Sequence, residues 1–294
     1  MATSSTLKIE PLDVTLGAVV TGLKLPELDE TTFDKLYATW LEYGLLVFPE
    51  QHLTKDEQLE FGRLFGEVDI NMPLSNIVRP DGTRIDEEDG HGDDEMIRLL
   101  KGNEFWHCDA TYRPVQTRGS VLSARVVPSD GGETEWADMA AAYDALDSGT
   151  KAQIADLSAY HSIFRSQSKL GHTVNEEYFG DESYRGRFAN QDPPLRPLVK
   201  IHPETGRAAL AIGRHAYSIA GMELDESERF LQDLVDFACQ APRIYRHAWS
   251  PGDAVVFDNR RLLHRMRPWD MIEERTLYIS SIVGDPTTEF AAHA

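Results

Sequence analysis

The stretch from residue 104 to residue 109 reads EFWHCD and contains the pattern His-x-Asp. On an extended strand, residues i and i+2 point to the same face, so the imidazole of His107 and the carboxylate of Asp109 can reach one ion from one side. Cys108 should point to the other face, where a small buried filler is a better interpretation than a metal ligand. Because His-x-Asp occurs by chance in many chains, it needs support from a third ligand elsewhere in the chain.

A second histidine lies far downstream, in the stretch FDNRRLLH at residues 257–264. The residues before Asp258 are apolar, so the chain enters the core just before His264. Two histidines and one carboxylate form a facial triad that leaves three positions open on the ion, which is typical of non-haem iron(II) oxygenases. The sequence therefore predicts an iron site made by His107, Asp109 and His264.

Arg275 follows His264 by eleven residues and opens another apolar strand. A dicarboxylate bound beside a metal needs a fixed cation at its far end, and a guanidinium offers two parallel donors to a carboxylate. The plainer interpretation of Arg275 is an ion pair with Glu273 or Glu274.

Helical and strand patterns extend outward from these stretches. One helix is predicted over 29–43 with Gly44 as its C-cap, and another over 148–157. A third helix is predicted to follow a capping box of Thr54 and Glu57, and a fourth to be capped by Asp138. A fifth is predicted to begin with a capping box of Asp225 and Glu228 and to run to about Cys239. The predicted strands are 45–49, 119–128, a hairpin over 198–213 with its turn at PETG, 251–259 and 275–283, whereas DGGETEW at 130–136 is predicted as a turn. The proportion of strands to helices predicts a mainly β protein with flanking helices, folded as a sandwich or jelly roll.

Two long stretches are predicted to be loops. Residues 75–102 contain PDGTRIDEEDGHGDDE, which is rich in turn formers and acid, and are predicted to be a mobile loop. His91 lies in this acidic run, where a solvated loop is a better interpretation than a metal site. Residues 165–197 form the second predicted loop.

Composition narrows the classes of protein. The 294 residues fit one domain over 1–294, since all-β units often reach this length. The net charge of −20 repels phosphate backbones and anionic lipid, so no nucleic acid and no membrane is expected as a partner. With two cysteines, no signal-peptide pattern and no long apolar run, we expect a cytoplasmic protein.

Several longer motifs resemble the family of taurine dioxygenase and dichlorophenoxyacetate dioxygenase. They are GLLVFPEQHLTKDEQLEFGRLFGE at 44–67, WHCDATY at 106–112, SARVVPSDGGETEWADMAAAYDAL at 123–146, HPETGRAAL at 202–210 and WSPGDAVVFDNRRLLHR at 249–265. The resemblance runs through nearly the whole chain. The block around SARVVP and the stretch RHAYSIAGM at 214–222 are nearer to the dichlorophenoxyacetate branch.

The resemblance implies a double-stranded β-helix, or jelly roll, with an Fe(II) site. It implies a dioxygenase that couples decarboxylation of 2-oxoglutarate with O2, giving succinate and CO2, to oxidation of a C–H bond in a small organic molecule. Carried over residue by residue, His107, Asp109 and His264 match the iron ligands. Arg275 and Thr134 match the residues that hold 2-oxoglutarate. Asn103 matches an active-site asparagine of the taurine branch.

The sequence differs from the family at the positions where members with acidic substrates bind the acid group of the substrate. The second arginine of that clamp is replaced by Ile279, and Asn71 stands where the taurine branch has a histidine. Losing such a charge-assisted contact costs on the order of 2–5 kcal/mol, so taurine and simple aryloxyacetates in the usual pose are disfavoured. Either the substrate is neutral or more apolar near Ile279, or another cation holds it, for which Arg214 and His215 are the candidates.

Several alternatives stay open from the sequence. Tyr112, Phe105 and Met72 either line an apolar pocket or belong to the core, and Arg214 either binds substrate or forms a surface ion pair. The loop over 77–101 is either a lid at the mouth of the site or a solvated loop. Hydroxylation is the first expectation for the reaction. Desaturation, cyclisation or C–O or C–N cleavage, an inactive binding protein on the same fold, and assembly into homo-oligomers are the alternatives.

Overall fold

The structure, a computed structural model, describes residues 6–79, 81–84, 100–171 and 192–291. The strands in these ranges are β1 (Lys8–Pro11), β2 (Ala18–Thr21), β3 (Leu45–Phe48), β4 (Val68–Ser75), β5 (Gly119–Val126), β6 (Thr134–Asp138), β7 (Ser158–His161), β8 (Leu195–Pro197), β9 (Val199–Ile201), β10 (Ala208–Leu210), β11 (Ala216–Ile219), β12 (Ile244–His247), β13 (Ala254–Asp258), β14 (Leu262–Met266) and β15 (Thr276–Ile282). The helices are α1 (Glu30–Tyr43), α2 (Lys55–Arg63), α3 (Met139–Ala145), α4 (Ser148–Ile154), α5 (Ile163–Ser168), α6 (Leu224–Ala238) and α7 (Pro286–Glu289). No helix in these ranges is long and apolar enough to cross a bilayer.

The larger sheet has seven strands in the order β1-β2-β3-β13-β5-β15-β4. Its central strand β13 is buried along its whole length, since alternate side chains point to opposite faces and both faces are covered. Val256 packs on the outer face with the side chains of α1 and α2. Val255 and Phe257 pack on the inner face.

A second sheet, β12-β6-β14, faces the inner side of the first. Trp136 of β6 and Leu262 of β14 share one apolar cluster with Leu122, Phe257 and Ile279 of the larger sheet. Two facing sheets with helices outside form the predicted jelly roll; their strands pair antiparallel except for β2 with β3, which pair in parallel. The prediction of a mainly β fold with flanking helices is confirmed.

Most helix boundaries follow the capping residues in the sequence. Helix α1 ends at Gly44, and α2 begins at Thr54 with both bonds of a capping box formed. Asp138 caps α3 as predicted. The capping box predicted for α6 is wrong: the helix begins after Glu223 without a side-chain cap, and Asp225 already lies in its first turn.

Some irregular stretches contain elements that the sequence did not predict. The segment 130–136 turns at its glycines, but Thr134 already begins β6. The predicted loop over 165–197 begins inside α5 and ends in β8, and residues 172–191 lie outside the described residues. Of the predicted loop over 75–102, residues 85–99, including His91, also lie outside them. The hairpin of β9 and β10 around PETG is confirmed.

Candidate metal centre

The two histidines of the predicted triad are joined through their backbones. The N–H of His107 donates to the carbonyl of His264 at 3.0 Å, and the N–H of His264 donates back at 2.8 Å. Oδ1 of Asp109 lies 3.4 Å from Nε2 of His264 and 3.9 Å from Nε2 of His107. One candidate ligand atom from each residue therefore lies within 4.8 Å of the other two.

The ring of His107 has one nitrogen, Nε2, available to bind a metal ion. Its Nδ1 lies 2.8 Å from the carbonyl of Phe105, which can only accept, so Nδ1 carries the proton and Nε2 has the lone pair. Burial, followed by the nearby His264, lowers the pKa of His107 to about 3. The ring is thus neutral at physiological pH, which is the state that binds metals.

The carboxylate of Asp109 has two different oxygens. While Oδ1 faces the histidines, Oδ2 accepts from the hydroxyl of Ser120 at 3.1 Å and from the amide of Asn259 at 3.3 Å. Burial alone would raise the pKa of Asp109, but His264 and the hydrogen bonds outweigh it and hold that pKa below its usual range. Cys108 is buried on the other side, where its thiol donates to the carbonyl of Asn259 at 2.8 Å, so its interpretation as a buried filler is confirmed.

Arg275 is a buried cation, and its side chain is 3% exposed. Its Nε donates to the carbonyl of Gly132 at 2.8 Å, and its Nη2 lies 3.5 Å from Oγ1 of Thr134. The alternative of an ion pair with Glu273 or Glu274 is not observed in the described residues, because these carboxylates accept from Ser129 and Arg84. Burial lowers the pKa of Arg275 to about 9, which indicates a charge without an anion among the described residues.

Thr134 lies beside Arg275 at the start of β6. Its Oγ1 accepts from the indole N–H of Trp249 at 2.9 Å, which leaves its own proton able to donate to a ligand. The turn before β6 brings the guanidinium close to the backbone. A Cβ on Gly132, whose φ is +70°, would lie 3.0 Å from Cδ of Arg275.

Ile279 and Asn71, the two positions where the acid clamp is missing, lie on opposite faces of the larger sheet. Ile279 shares the inner face with Arg275, four residues before it, and pairs with Met72 of β4. Asn71 points outward, where it accepts from the hydroxyl of Ser280 at 2.9 Å and approaches the start of α2. The structure therefore does not bring Asn71 to the site, since the side-chain alternation of β4 presents its neighbour Met72 instead.

Arg214 and His215 lie directly beside the triad. The N–H of Arg214 donates to the carbonyl of Trp106 at 2.9 Å, and its Nε and Nη1 atoms are buried. The His215 ring contacts the rings of His107, at 6.1 Å between centroids, and Tyr112, at 5.0 Å. Nδ1 of His215 lies 3.0 Å from the hydroxyl of Ser166.

The guanidinium of Arg214 rests against the backbone of the segment that precedes the triad. A Cβ on Gly102 would lie 2.5 Å from Nη1 of Arg214, so this close approach requires glycine or a displaced guanidinium. The carbonyl of Asn103, the next residue, accepts from the N–H of Met266 at 2.7 Å, at the end of the strand β14 that carries His264. Phe105 is 49% exposed and is not part of the core.

Three polar residues of the site carried no prediction from the sequence. Ser120 and Asn259 contact Asp109, and Trp249 contacts Thr134. Asn259 and Trp249 had a local signal, since both lie in the motif WSPGDAVVFDNRRLLHR at 249–265.

The donor set fits Fe(II) because two imidazoles and one carboxylate meet on the inner face of a jelly roll. Arg275 adds a buried cation on the same face. Fold and site together define a class: non-haem iron oxygenases that use a dicarboxylate cosubstrate.

Comparison with known proteins narrows the class to a family. Residues 8–279 match the family described as "Taurine catabolism dioxygenase TauD, TfdA family", and the chain belongs to this family.

Two relatives and one solved structure are similar along almost their whole length. The chain is 55% identical to the (S)-phenoxypropionate/alpha-ketoglutarate-dioxygenase of Sphingobium herbicidovorans, covering 98% of this chain and 99% of the relative. It is 50% identical to the Delftia acidovorans protein of the same name, again covering 98% and 99%. The crystal structure of AAD-2 with Mn(II) and N-oxalylglycine superposes with a TM-score of 0.85 at 34% identity, covering 98% of this chain and 100% of that one.

These findings confirm the predicted chemistry. The protein is an Fe(II)- and 2-oxoglutarate-dependent dioxygenase that oxidises a small organic substrate. The alternative of an inactive binding protein is set aside.

Proposed function

We propose that the chain oxidises a 2-aryloxypropionate, or a closely related aryloxyalkanoate, at the carbon that bears the ether oxygen. In this proposal His107, Asp109 and His264 bind the iron, and Arg275 and Thr134 hold 2-oxoglutarate. Arg214 binds the carboxylate of the substrate. The observation that carries the substrate class is the position of Arg214, a partly buried residue whose charge acts on His107 and whose Nη1 lies against Gly102.

The role of Arg275 follows from its surroundings. A buried guanidinium without an anion is costly, and a carboxylate that accepts two parallel hydrogen bonds from it offsets that cost. Thr134 can donate to the same carboxylate, because Trp249 already occupies its oxygen as a donor. These contacts orient 2-oxoglutarate towards the triad. Iron held by His107, Asp109 and His264 would supply the activation of O2, coupled to decarboxylation of 2-oxoglutarate.

The substrate side combines one apolar wall with one cation. Ile279 and Met72 present apolar surface on the inner face of the larger sheet, where an aromatic ring can pack. The clamp position has lost its positive charge, because Ile279 stands there in place of an arginine. In this proposal Arg214 supplies that charge instead. This pairing favours an amphiphilic acid over taurine, whose chain has no apolar part of comparable size.

The reaction balances without a further reagent. The C–H bond next to the ether oxygen is replaced by C–OH, while 2-oxoglutarate and O2 become succinate and CO2. The resulting hemiketal loses its aryloxy group, which takes the hydroxyl proton, and the products are a phenol and pyruvate. Simple hydroxylation and ether cleavage are thus two stages of one reaction, whereas desaturation and cyclisation remain alternative outcomes.

The test compares acids with a neutral analogue. The Fe(II)-loaded enzyme is given 2-oxoglutarate, O2 and either enantiomer of 2-phenoxypropionate, phenoxyacetate or the methyl ester of the preferred enantiomer. We expect phenol and succinate in equal amounts from one 2-phenoxypropionate enantiomer, with less product from phenoxyacetate. Since a hydrogen bond to a charged group contributes about 1.5–3 kcal/mol, Arg214→Gln should raise KM for the acid about 10- to 100-fold.

The matched control is Arg207→Gln, which removes an exposed arginine that pairs with Asp144 away from the triad. It should leave KM unchanged. If Arg214→Gln turns over the acid with the KM of the wild type, or if the ester is the better substrate, the carboxylate assignment is wrong. Loss of the Fe(II) and 2-oxoglutarate charge-transfer band in His107→Ala tests the ligand set separately.

The proposal extends to domain organisation, compartment and partners. Cys108 and Cys239 are both free thiols, as expected in a reducing compartment, and we place the enzyme in the cytoplasm. The net charge of −20 disfavours nucleic acid and membranes as partners. In this proposal residues 1–294 form one domain. The chain assembles into homo-oligomers, which a measurement of its mass in solution tests.

A further inference from the structure

We infer that Asn259 and Ser120 are positioning residues that hold Asp109 so that only one of its oxygens faces the metal. The inference rests on the proposed ligand set of His107, Asp109 and His264. It adds to that set the residues that orient its carboxylate.

Asn259 binds Asp109 at two points. Its amide Nδ2 donates to the carboxylate Oδ2 at 3.3 Å, and its Oδ1 accepts from the backbone N–H of Asp109 at 3.3 Å. One side chain therefore fixes both the backbone and the carboxylate of the candidate ligand. Ser120 donates to the same Oδ2 at 3.1 Å, so this oxygen is occupied from two directions.

Asn259 is itself held rigidly. Its side chain is buried, its N–H donates to the carbonyl of Arg118 at 3.1 Å, and its carbonyl accepts from the amide of Gln116 at 2.9 Å. It lies in the turn between β13 and β14, five residues before His264. The contact thus connects the two stretches of chain that supply the candidate ligands.

The consequence concerns how many positions on the ion stay open. A carboxylate whose Oδ2 already accepts two hydrogen bonds offers Oδ1 to the metal more readily than both oxygens. Single-oxygen binding by Asp109 leaves three positions for the dicarboxylate and O2, whereas two-oxygen binding would leave two. Partners that orient a metal ligand typically contribute 10- to 100-fold to metal affinity.

The chain offers a matched pair of serines to test this. Ser120 and Ser123 are buried in the same strand, but Ser120 faces the inner side and Asp109, whereas Ser123 faces outward and donates to Gln58. Replacing either by alanine removes one buried hydroxyl. At Ser120 the change removes the bond donated to Asp109 and the bond accepted from Asn259 at 3.3 Å, and at Ser123 it removes the bond donated to Gln58. Only Ser120→Ala removes a contact to the candidate ligand.

The experiment measures Mn(II) binding to the full chain by the electron paramagnetic resonance signal of free Mn(II). No 2-oxoglutarate and no substrate is added, and thermal unfolding is recorded for every variant. We expect Asn259→Ala to raise Kd about 10- to 100-fold and Ser120→Ala about tenfold, with Ser123→Ala at the wild-type value. Asn259→Asp, which keeps the shape but faces Asp109 with a second carboxylate, should also weaken binding.

The outcomes distinguish a failure of the positioning role from a failure of the proposed ligand set. If His107→Ala binds Mn(II) as tightly as the wild type, the ligand set is wrong and the inference falls with it. If His107→Ala abolishes binding while Ser120→Ala and Asn259→Ala keep the wild-type Kd, the ligand set stands and the positioning role is overturned. Equal weakening by Ser120→Ala and Ser123→Ala would also overturn it, because a general packing effect would then explain both.

Discussion

At the scale of single residues, Arg275 is a buried cation without a carboxylate partner among the described residues. Burial lowers its pKa to about 9, and its described partners are neutral: the carbonyl of Gly132 and the hydroxyl of Thr134. The neighbouring carboxylates of Glu273 and Glu274 are held elsewhere, by Ser129 and Arg84. In the role proposed for Arg275, an ion pair with either would compete with 2-oxoglutarate for the guanidinium.

This arrangement predicts the effect of Arg275→Met, which keeps most of the side-chain volume but removes the charge. Losing a buried charge-assisted contact of about 3 kcal/mol should raise the Kd for 2-oxoglutarate on the Mn(II)-loaded protein by roughly 100-fold. The rise in melting temperature that N-oxalylglycine causes in the wild type should disappear at the same ligand concentration. Isothermal titration and thermal unfolding measure the two effects. An unchanged Kd would assign the distal carboxylate to another cation.

At the scale of elements, the turn between β13 and β14 is fixed by a buried ionic network. Asp258 is fully buried and accepts from the guanidinium of Arg260 at 2.8 and 2.6 Å. Nε2 of His202, from the hairpin of β9 and β10, lies 3.0 Å from the same carboxylate. Glu204 of that hairpin also pairs with Arg260. The network anchors the segment that carries Asn259 and leads into His264.

We therefore expect Asp258→Ala to reduce the free energy of unfolding by about 3–5 kcal/mol, because it leaves a buried arginine with an incomplete partner set. Asp144→Ala is the matched control, since it breaks the exposed ion pair with Arg207, and such pairs contribute about 0–1 kcal/mol. Urea denaturation of the metal-free proteins measures both. Similar losses in the two variants would contradict the structural role of the turn.

At the scale of the whole molecule, buried neutral histidines make stability depend on pH. His161 is 1% exposed, and its ring nitrogens have no hydrogen-bond partner in the described part of the chain. Burial, followed by the nearby Arg196, lowers its pKa from 6.5 to about 3. Between these two values the unfolded chain binds more protons than the folded one, so stability falls as the pH falls through 6.5.

Replacing this histidine by leucine should remove its share of the acid sensitivity. At pH 5, protonation of His161 in the unfolded state costs the wild type about 2 kcal/mol, and at pH 7.5 it costs almost nothing. The free energy of unfolding of His161→Leu, relative to the wild type, should therefore increase by about 2 kcal/mol from pH 7.5 to pH 5. Urea unfolding of metal-free protein at both values tests this. The same difference at both pH values would show that His161 does not titrate on unfolding.

The sequence by itself determined the features that depend on neighbours along the chain. The His-x-Asp spacing was enough to predict that His107 and Asp109 meet, although the predicted strand is wrong: His107 lies in an isolated bridge and Asp109 in a turn. The capping residues Thr54 and Asp138 fixed where two helices begin. The apolar runs around residues 45 and 255 were enough to predict strands covered on both faces. The proportion and order of these elements predicted a mainly β sandwich or jelly roll, and the family resemblance implied the jelly roll.

Only the tertiary structure decided which distant groups meet. Asn71 and Met72 are equally plausible candidates in the sequence, but the pairing of β4 with β15 turned Met72 inward and Asn71 outward. In the sequence, Glu274 is a plausible partner for Arg275. In the fold, Glu274 pairs instead with Arg84, which lies 190 positions away along the chain. Asn259 reaches Asp109 across 150 positions. Such contacts depend on strand register and burial, which a local pattern does not contain because they arise only when the sheets pack together.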